Sequence, residues 1–231
     1  NALNAQLVGE IRTCFDEFAR DENIKGVILT GLPGVFSAGL DLPELYEYNE
    51  EEIREFLIAF GSMHIELVRF PKPFICAING HSPAGGTVIA VAADDRFMVN
   101  GEKYTIGLNE LAVNVQITSN LIYAYDFWLG QKASYKAIMA GKLFKAEEAY
   151  EAGLVDALTN EDNLLAKAEN RMKQYMMVNQ EIFLNTKAKL RKEWLSILDD
   201  EANDLEQVLK VWWSPEVRER MGMFIAMLKS R

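Results

Sequence analysis

Cysteine is scarce: in 231 residues only Cys14 and Cys76 carry thiols. Two thiols this far apart build neither a disulfide framework nor a four-thiolate metal site, and a chain of this length needs no staples. A reducing compartment fits that usage best. Histidine is as rare, with His64 and His81 alone. With no His-x-x-His, no clustered Cys and no Asp-rich loop of calcium spacing, no metal is expected. Positive charge is in deficit too, since 24 Lys and Arg against 34 Asp and Glu leave a formal net charge of −10. That balance opposes attraction to phosphate backbones or anionic lipid, so nucleic acid and membrane are not expected as partners. No apolar run reaches the length of a spanning helix, and Asn1-Ala2-Leu3-Asn4-Ala5 resembles neither a signal nor a transit peptide. A soluble, cytoplasmic chain is the expectation. Walker and Rossmann glycine spacings are missing, as is the Gly-x-Ser-x-Gly elbow of a serine nucleophile.

What is present suits a packed α/β protein: 49% hydrophobic and 25% charged residues can build a sizeable core. Leu3, Leu7, Ile11, Phe15 and Phe18 recur at three- and four-residue steps and predict an amphipathic helix over 4–20. Apolar, β-branched runs at 26–31, 73–80 and 96–101, each bounded by glycine or proline, read as strands buried on both faces. Between the first two lies a charged stretch, 50–69, whose Ile53, Phe56, Leu57, Phe60, His64 and Leu67 share one helical face. His64 is therefore expected to be a core or partly buried imidazole. After Glu110 the period is helical almost to the end, with Gly153 in the place of a left-handed C-cap, 154–158 extended, and Pro215 opening the final helix. The predicted organisation is an α/β core over 1–160 and a helical region over 161–231.

Three segments carry candidate chemistry. Phe36-Ser37-Ala38-Gly39-Leu40-Asp41-Leu42 and Asn79-Gly80-His81-Ser82-Pro83-Ala84-Gly85-Gly86 are glycine-bearing turns, each between a strand and a helix. Either alone is compatible with a simple turn. The second, however, runs into Thr87-Val88-Ile89-Ala90-Val91-Ala92-Ala93, apolar all round and so read as a buried helix, whose first amides would face the interior. Unpaired N–H groups at such a terminus attract negative charge, the physics of an oxyanion site. The third segment, Tyr104 to Val113, places Glu110 among apolar residues. It is either a surface glutamate capping the next helix or a general base whose proton affinity burial raises.

Taken together and in order, these segments resemble the crotonase superfamily, the enoyl-CoA hydratase/isomerase enzymes. The resemblance also rests on Gly26-Val27-Ile28-Leu29-Thr30-Gly31, Asp94-Asp95-Arg96, Ala146-Glu147-Glu148-Ala149 and Gly153-Leu154-Val155-Asp156. It implies a crotonase-like ββα spiral core with a helical C-terminal region, and an acyl-CoA thioester as substrate. It also implies an oxyanion hole from the amides of Leu40 and Gly85, with Ala38, Gly39, Leu40, Asp41, Leu42, Gly85, Gly86 and Asn109 at the substrate and Glu110 catalytic. No cofactor is implied beyond the coenzyme A that is part of the substrate. Pro83-Ala84-Gly85-Gly86 and Ile106-Gly107-Leu108-Asn109-Glu110 are most similar to the mitochondrial-type Δ3,Δ2-enoyl-CoA isomerase branch.

Hydratases of the superfamily usually carry two glutamates. Val88 occupies the place of the first here, and Glu110 that of the second. One carboxylate suits moving a double bond from C3 to C2. The rival readings are a hydratase or another enolate-forming acyl-CoA enzyme and, from a different class, a catalytically weak acyl-CoA-binding scaffold. Asn114-Val115-Gln116-Ile117 replaces the superfamily's frequent Gly-x-x-Pro turn at the acyl pocket. The basic first strand near the CoA phosphates has no counterpart before the first helix, so part of the CoA site is expected outside this sequence, with Lys229 or Arg231 reaching a neighbouring subunit's ligand. The resemblance implies a homotrimer or hexamer. The large apolar groups of the tail, Trp194, Leu195, Leu198, Leu205, Val208, Leu209, Trp212, Trp213, Met221, Met223, Phe224 and Met227, are expected at that interface or in the chain's own core.

Overall fold

Strand β1 (Ala2–Leu3) opens the chain, and Asn4 then caps α1 (Ala5–Arg20) by accepting the Leu7 N–H. The helix lies within a residue of the predicted 4–20, but Leu3, the first residue of the predicted apolar stripe, belongs to the extended β1 and not to the helix. The computed structural model describes residues 1–197 and 201–229. Next come β2 (Val27–Thr30), the two-residue strands β3 (Gly34–Val35) and β4 (Gly39–Leu40), and the short α2 (Leu42–Leu45). The long α3 (Glu50–Arg69) begins with a capping box between Asn49 and Glu52, and three glutamates in its first turn complement the helix dipole.

The centre of the molecule is β5 (Phe74–Ile78), β6 (Gly80–Pro83), α4 (Gly85–Ala92) and β7 (Asp95–Val99). Every residue of β5, α4 and β7 is buried; the runs of β5 and α4 predict this, whereas β7 also buries the charged Asp95 and Arg96. One sheet has the order β10-β7-β5-β2 with all pairs parallel, where β10 is Ala157–Thr159. In that sheet β2 is an edge strand, and its residues are half-buried with Thr30 exposed, so the expectation of full burial fails there. A second sheet runs β3-β6-β8-β9, with β8 at Thr105–Gly107 and β9 at Phe144–Lys145. The segment read as one turn from Asn79 to Gly86 is thus itself a strand followed by a sharp corner.

Beyond a 3-10 turn at Glu110–Val113 the helices α5 (Ser119–Leu129), α6 (Gln131–Met139) and α7 (Ala146–Glu151) follow. Gly153, at φ +80°, takes the left-handed conformation that few other residues adopt without strain. From β10 on, the described residues add α8 (Leu164–Met176), α9 (Gln180–Leu190), α10 (Lys192–Ile197), α11 (Glu201–Trp212) and α12 (Pro215–Lys229). α8 lies on β5 and β7, and α11 lies on α3 and α5. Buried Lys187 and Arg191 tie α9 and its C-cap to the end of α4, bonding Asp94 at 2.8 and 3.0 Å. Of the tail's apolar groups, Trp194, Val208, Leu209, Trp212 and Met221 bury within their own chain, while Met223 and Met227 are exposed. Leu198 and Arg231 lie outside the described residues, as does the side chain of Lys229.

Candidate active site

Two backbone corners meet at one point. β1 pairs in parallel with β4, Leu3 opposite Leu40, and the Asp41 N–H donates to Leu3 O at 3.0 Å. By strand alternation the Leu40 N–H therefore faces away from β1. The turn before it needs Gly39, whose φ is +81° and whose missing β-carbon would sit 3.2 Å from both Pro83 O and Ala84 Cβ. On the other side β6 ends at Pro83, Ala84 turns with φ 45° and ψ −116°, and α4 begins at Gly85. Ala84 offers no side-chain acceptor, so the first amides of α4 have no cap of the usual kind. The corners leave no room for a side chain between them: a β-carbon on Gly85 would lie 3.4 Å from the Gly39 carbonyl carbon, which is bonded to the Leu40 nitrogen.

Both corners open on a cavity of about 670 Å³. Ala38, Leu40, Asp41, Leu42, Gly85, Asn109 and Glu110 line it, and Gly39 and Gly86 lie behind that surface. Gly86 packs the corners together instead, because a β-carbon there would meet Ser82 Oγ at 2.9 Å and Ser37 Cβ at 3.1 Å. The wall is mostly apolar, with Leu57 and Phe60 from α3, Val208 and Trp212 from α11, and Phe224 from α12. Val115 and Gln116, of the stretch replacing the Gly-x-x-Pro turn, also line it.

Glu110 is the chemically distinctive group. It is buried, its Oε2 has no hydrogen-bond partner, and burial raises its pKa from 4.5 to about 7 against the opposing pull of its own backbone amide. It is therefore neither a solvent-facing cap nor the partner of an arginine, but a carboxylate facing the same space as the two corners. Asp41 and Asp204 also reach the cavity, yet each is engaged: Asp41 accepts the Glu44 N–H at 3.2 Å and Asp204 accepts the Ser119 N–H at 2.7 Å. Val88 lines the cavity one turn along α4. His64 lies against it, its Nδ1 3.0 Å from Val88 O, so Nδ1 carries the proton toward that carbonyl. Burial lowers the pKa of this imidazole to about 4, which keeps it neutral.

The residues that sequence reasoning did not place at the site include Leu57, Phe60 and His64 of α3, read only as a core stripe, and those the tail contributes, Asp204, Leu205, Val208, Trp212 and Phe224. The amphipathic period of α11 announces a buried face but not which cavity that face closes. Among the described residues no group of three His, Cys, Asp or Glu could hold a metal, and no helix is long and apolar enough to cross a membrane.

The family model for enoyl-CoA hydratase/isomerase matches residues 1–229. The chain is 31% identical to rat mitochondrial enoyl-CoA delta isomerase 1, covering 100% of this chain and 81% of that one. The crystal structure of human mitochondrial delta3-delta2-enoyl-CoA isomerase superposes with a TM-score of 0.96 at 28% identity, covering 99% of this chain and 90% of that one. An enoyl-CoA hydratase, EchA3 from Mycobacterium ulcerans, superposes with a TM-score of 0.82 at 26% identity, covering 90% of each chain.

Proposed function

The chain belongs to the enoyl-CoA hydratase/isomerase family with its crotonase-like α/β fold, and on that premise we propose that it moves the C3 double bond of an enoyl-CoA to C2. The thioester oxygen accepts from the N–H groups of Leu40 and Gly85, which stabilise the charge it gains as the C2 proton leaves. Glu110 takes that proton. The electron pair spreads over a dienolate, and the same carboxyl group returns the proton at C4, leaving the double bond between C2 and C3 and no net change in atoms. Coenzyme A enters as the carrier of the acyl group, and no further cofactor takes part.

The observation that carries this reading is that, of the carboxylates lining the cavity, Glu110 is the one that is buried, raised in pKa and without a hydrogen-bond partner at Oε2. Hydration needs water held and activated as well as a proton delivered, and Val88 supplies no such group. Asp41 and Asp204 are committed to helix termini. A spectrophotometric assay of 3-enoyl-CoA and 2-enoyl-CoA substrates, read for both isomerisation and hydration, tests it. Isomerisation well above hydration is expected, and dominant hydration would overturn it.

The assembly that goes with this reading is a homotrimer or hexamer. Exposed large apolar side chains at the end of α8 and along α9 support it, with Met177 86% exposed, Leu190 70% and Ile182 63%.

A further inference from the structure

We propose that Thr87 is a positioning residue: its hydroxyl locks the corner that presents the Gly85 amide to the strand that leads into Glu110. The inference rests on the proposed roles of those two groups and concerns a residue that does not line the cavity. Thr87 is fully buried in the first turn of α4. Its Oγ1 donates to Ser82 O at 2.6 Å and accepts the Gly107 N–H at 2.8 Å. The same glycine is gripped a second time, because the Ala84 N–H donates to Gly107 O at 2.8 Å. The amide after it, Leu108 N–H, donates to the hydroxyl of buried Tyr125 at 2.9 Å. Two consecutive amides just before Asn109 and Glu110 are thus held by buried hydroxyls.

The placement of Thr87 has a clear physical use. Ala84 sits at a positive φ that costs energy for a residue with a β-carbon, and its side chain cannot cap α4. The Thr87 hydroxyl closes that turn from inside by reaching back to Ser82 O. In the same contact it fixes β8 against α4, with β6 and β8 in register at Pro83 and Gly107. The oxyanion amide and the carboxylate come from segments twenty-five residues apart in the chain, and the Thr87–Gly107 bond is a side-chain link between them. Their separation matters because proton transfer and charge stabilisation must act on one thioester at once.

The test compares the wild type with Thr87→Val and Thr87→Ser, each checked for folding by circular dichroism and thermal melting. Two activities are read: isomerisation of a 3-enoyl-CoA, and exchange of the C2 protons of a saturated acyl-CoA with deuterated solvent, followed by NMR. Thr87→Val should lower both rates by about tenfold to a hundredfold with KM changed by less than about twofold, since the pocket still binds the acyl chain but holds the reacting groups off line. Thr87→Ser keeps the hydroxyl and should stay within about threefold of the wild type. A folded valine variant with wild-type kcat, or a folded serine variant that loses as much as the valine one is expected to lose, overturns the role given to Thr87. A wild type that neither isomerises nor exchanges would overturn the proposed site itself, which is a different result.

Discussion

Fully buried Arg96 pairs with Asp156, which reaches the surface, and the pair joins two segments sixty residues apart. The Arg96 guanidinium, with no solvent exposure, bonds Asp156 at 2.8 Å, donates from Nε to Leu154 O at 2.9 Å and lies 3.6 Å from the centre of the Trp128 ring. The Arg96 backbone N–H bonds the same carboxylate at 2.7 Å. Asp94-Asp95-Arg96 and Gly153-Leu154-Val155-Asp156, two motifs of the family resemblance, are therefore one structural unit. It clamps the end of α7 onto β7 and positions β10.

Removing one partner of such a pair leaves a buried charge without compensation. Asp156→Ala should destabilise the fold by about 3 kcal/mol, at the low end of the usual cost because Asp156 keeps some contact with water. A urea titration should show a lower midpoint at an unchanged slope. A loss under about 0.5 kcal/mol, the scale of an ordinary surface substitution, would mean that the carbonyl bonds and the Trp128 ring suffice for Arg96.

Much of this architecture could be read from the chain because local signals and tertiary demand agree. β5 and α4 are apolar all round and are wholly buried, and Asn4, Gly153 and Pro215 mark real helix boundaries. The failures have physical causes as well. β6 contains Gly80, where a β-carbon would lie 2.0 Å from the Gly34 carbonyl carbon and its oxygen, so the close approach of β3 demands a residue that by pattern reads as a turn. β3 and β4 are two residues long, too short for alternation to show. Glu110 as base or cap was open from composition alone. The far wall of the cavity depends on how α11 crosses α3, which periodicity does not specify.

Assembly is tested by mass in solution. The exposed Met177, Ile182 and Leu190 face water in a single chain, so light scattering at micromolar concentration should report three or six times the 26.1 kDa chain mass. Ile182→Glu should shift that mass downward. A monomer mass for the unmodified protein would remove the proposal.

The oxyanion role proposed for Leu40 and Gly85 can be tested without mutation. Two N–H groups donating to one thioester oxygen weaken its C=O bond, so the infrared carbonyl stretch of a bound saturated acyl-CoA should move to lower wavenumber than in solution. No movement would sink the assignment. Gly85→Pro removes one donor at the first position of a helix and should cost about 3 to 4 kcal/mol of transition-state stabilisation, although its β-carbon would lie 2.6 Å from Leu3 Cδ1, which must shift. Ala84, with its positive φ, precedes that proline and restricts the fit. Near-ultraviolet circular dichroism must therefore show a native fold before the rate is interpreted.

Glu110 makes two predictions that pull in opposite directions. As a base it must be ionised, and burial raises its pKa from 4.5 to about 7. The rate should therefore climb as pH rises through about 7 and level off above it. Glu110→Gln keeps shape and polarity without the base and should lower kcat by about 10² to 10⁴. For stability the sign reverses. In the folded chain Glu110 holds its proton up to about pH 7, whereas unfolded it ionises near 4.5. Between those values the folded state binds more protons, so stability falls as pH rises through that window and stays lower above it. Holding the charge of this buried group at pH 8 costs on the order of 3 kcal/mol. Glu110→Gln has no charge to bury and should be the more stable protein at pH 8, with the gain shrinking toward pH 4.5. Denaturant titrations at the two pH values give the comparison. Equal stability at pH 8 would show that the carboxylate is better solvated than its burial indicates, and a variant that kept wild-type isomerisation would show that the proton moves through another group.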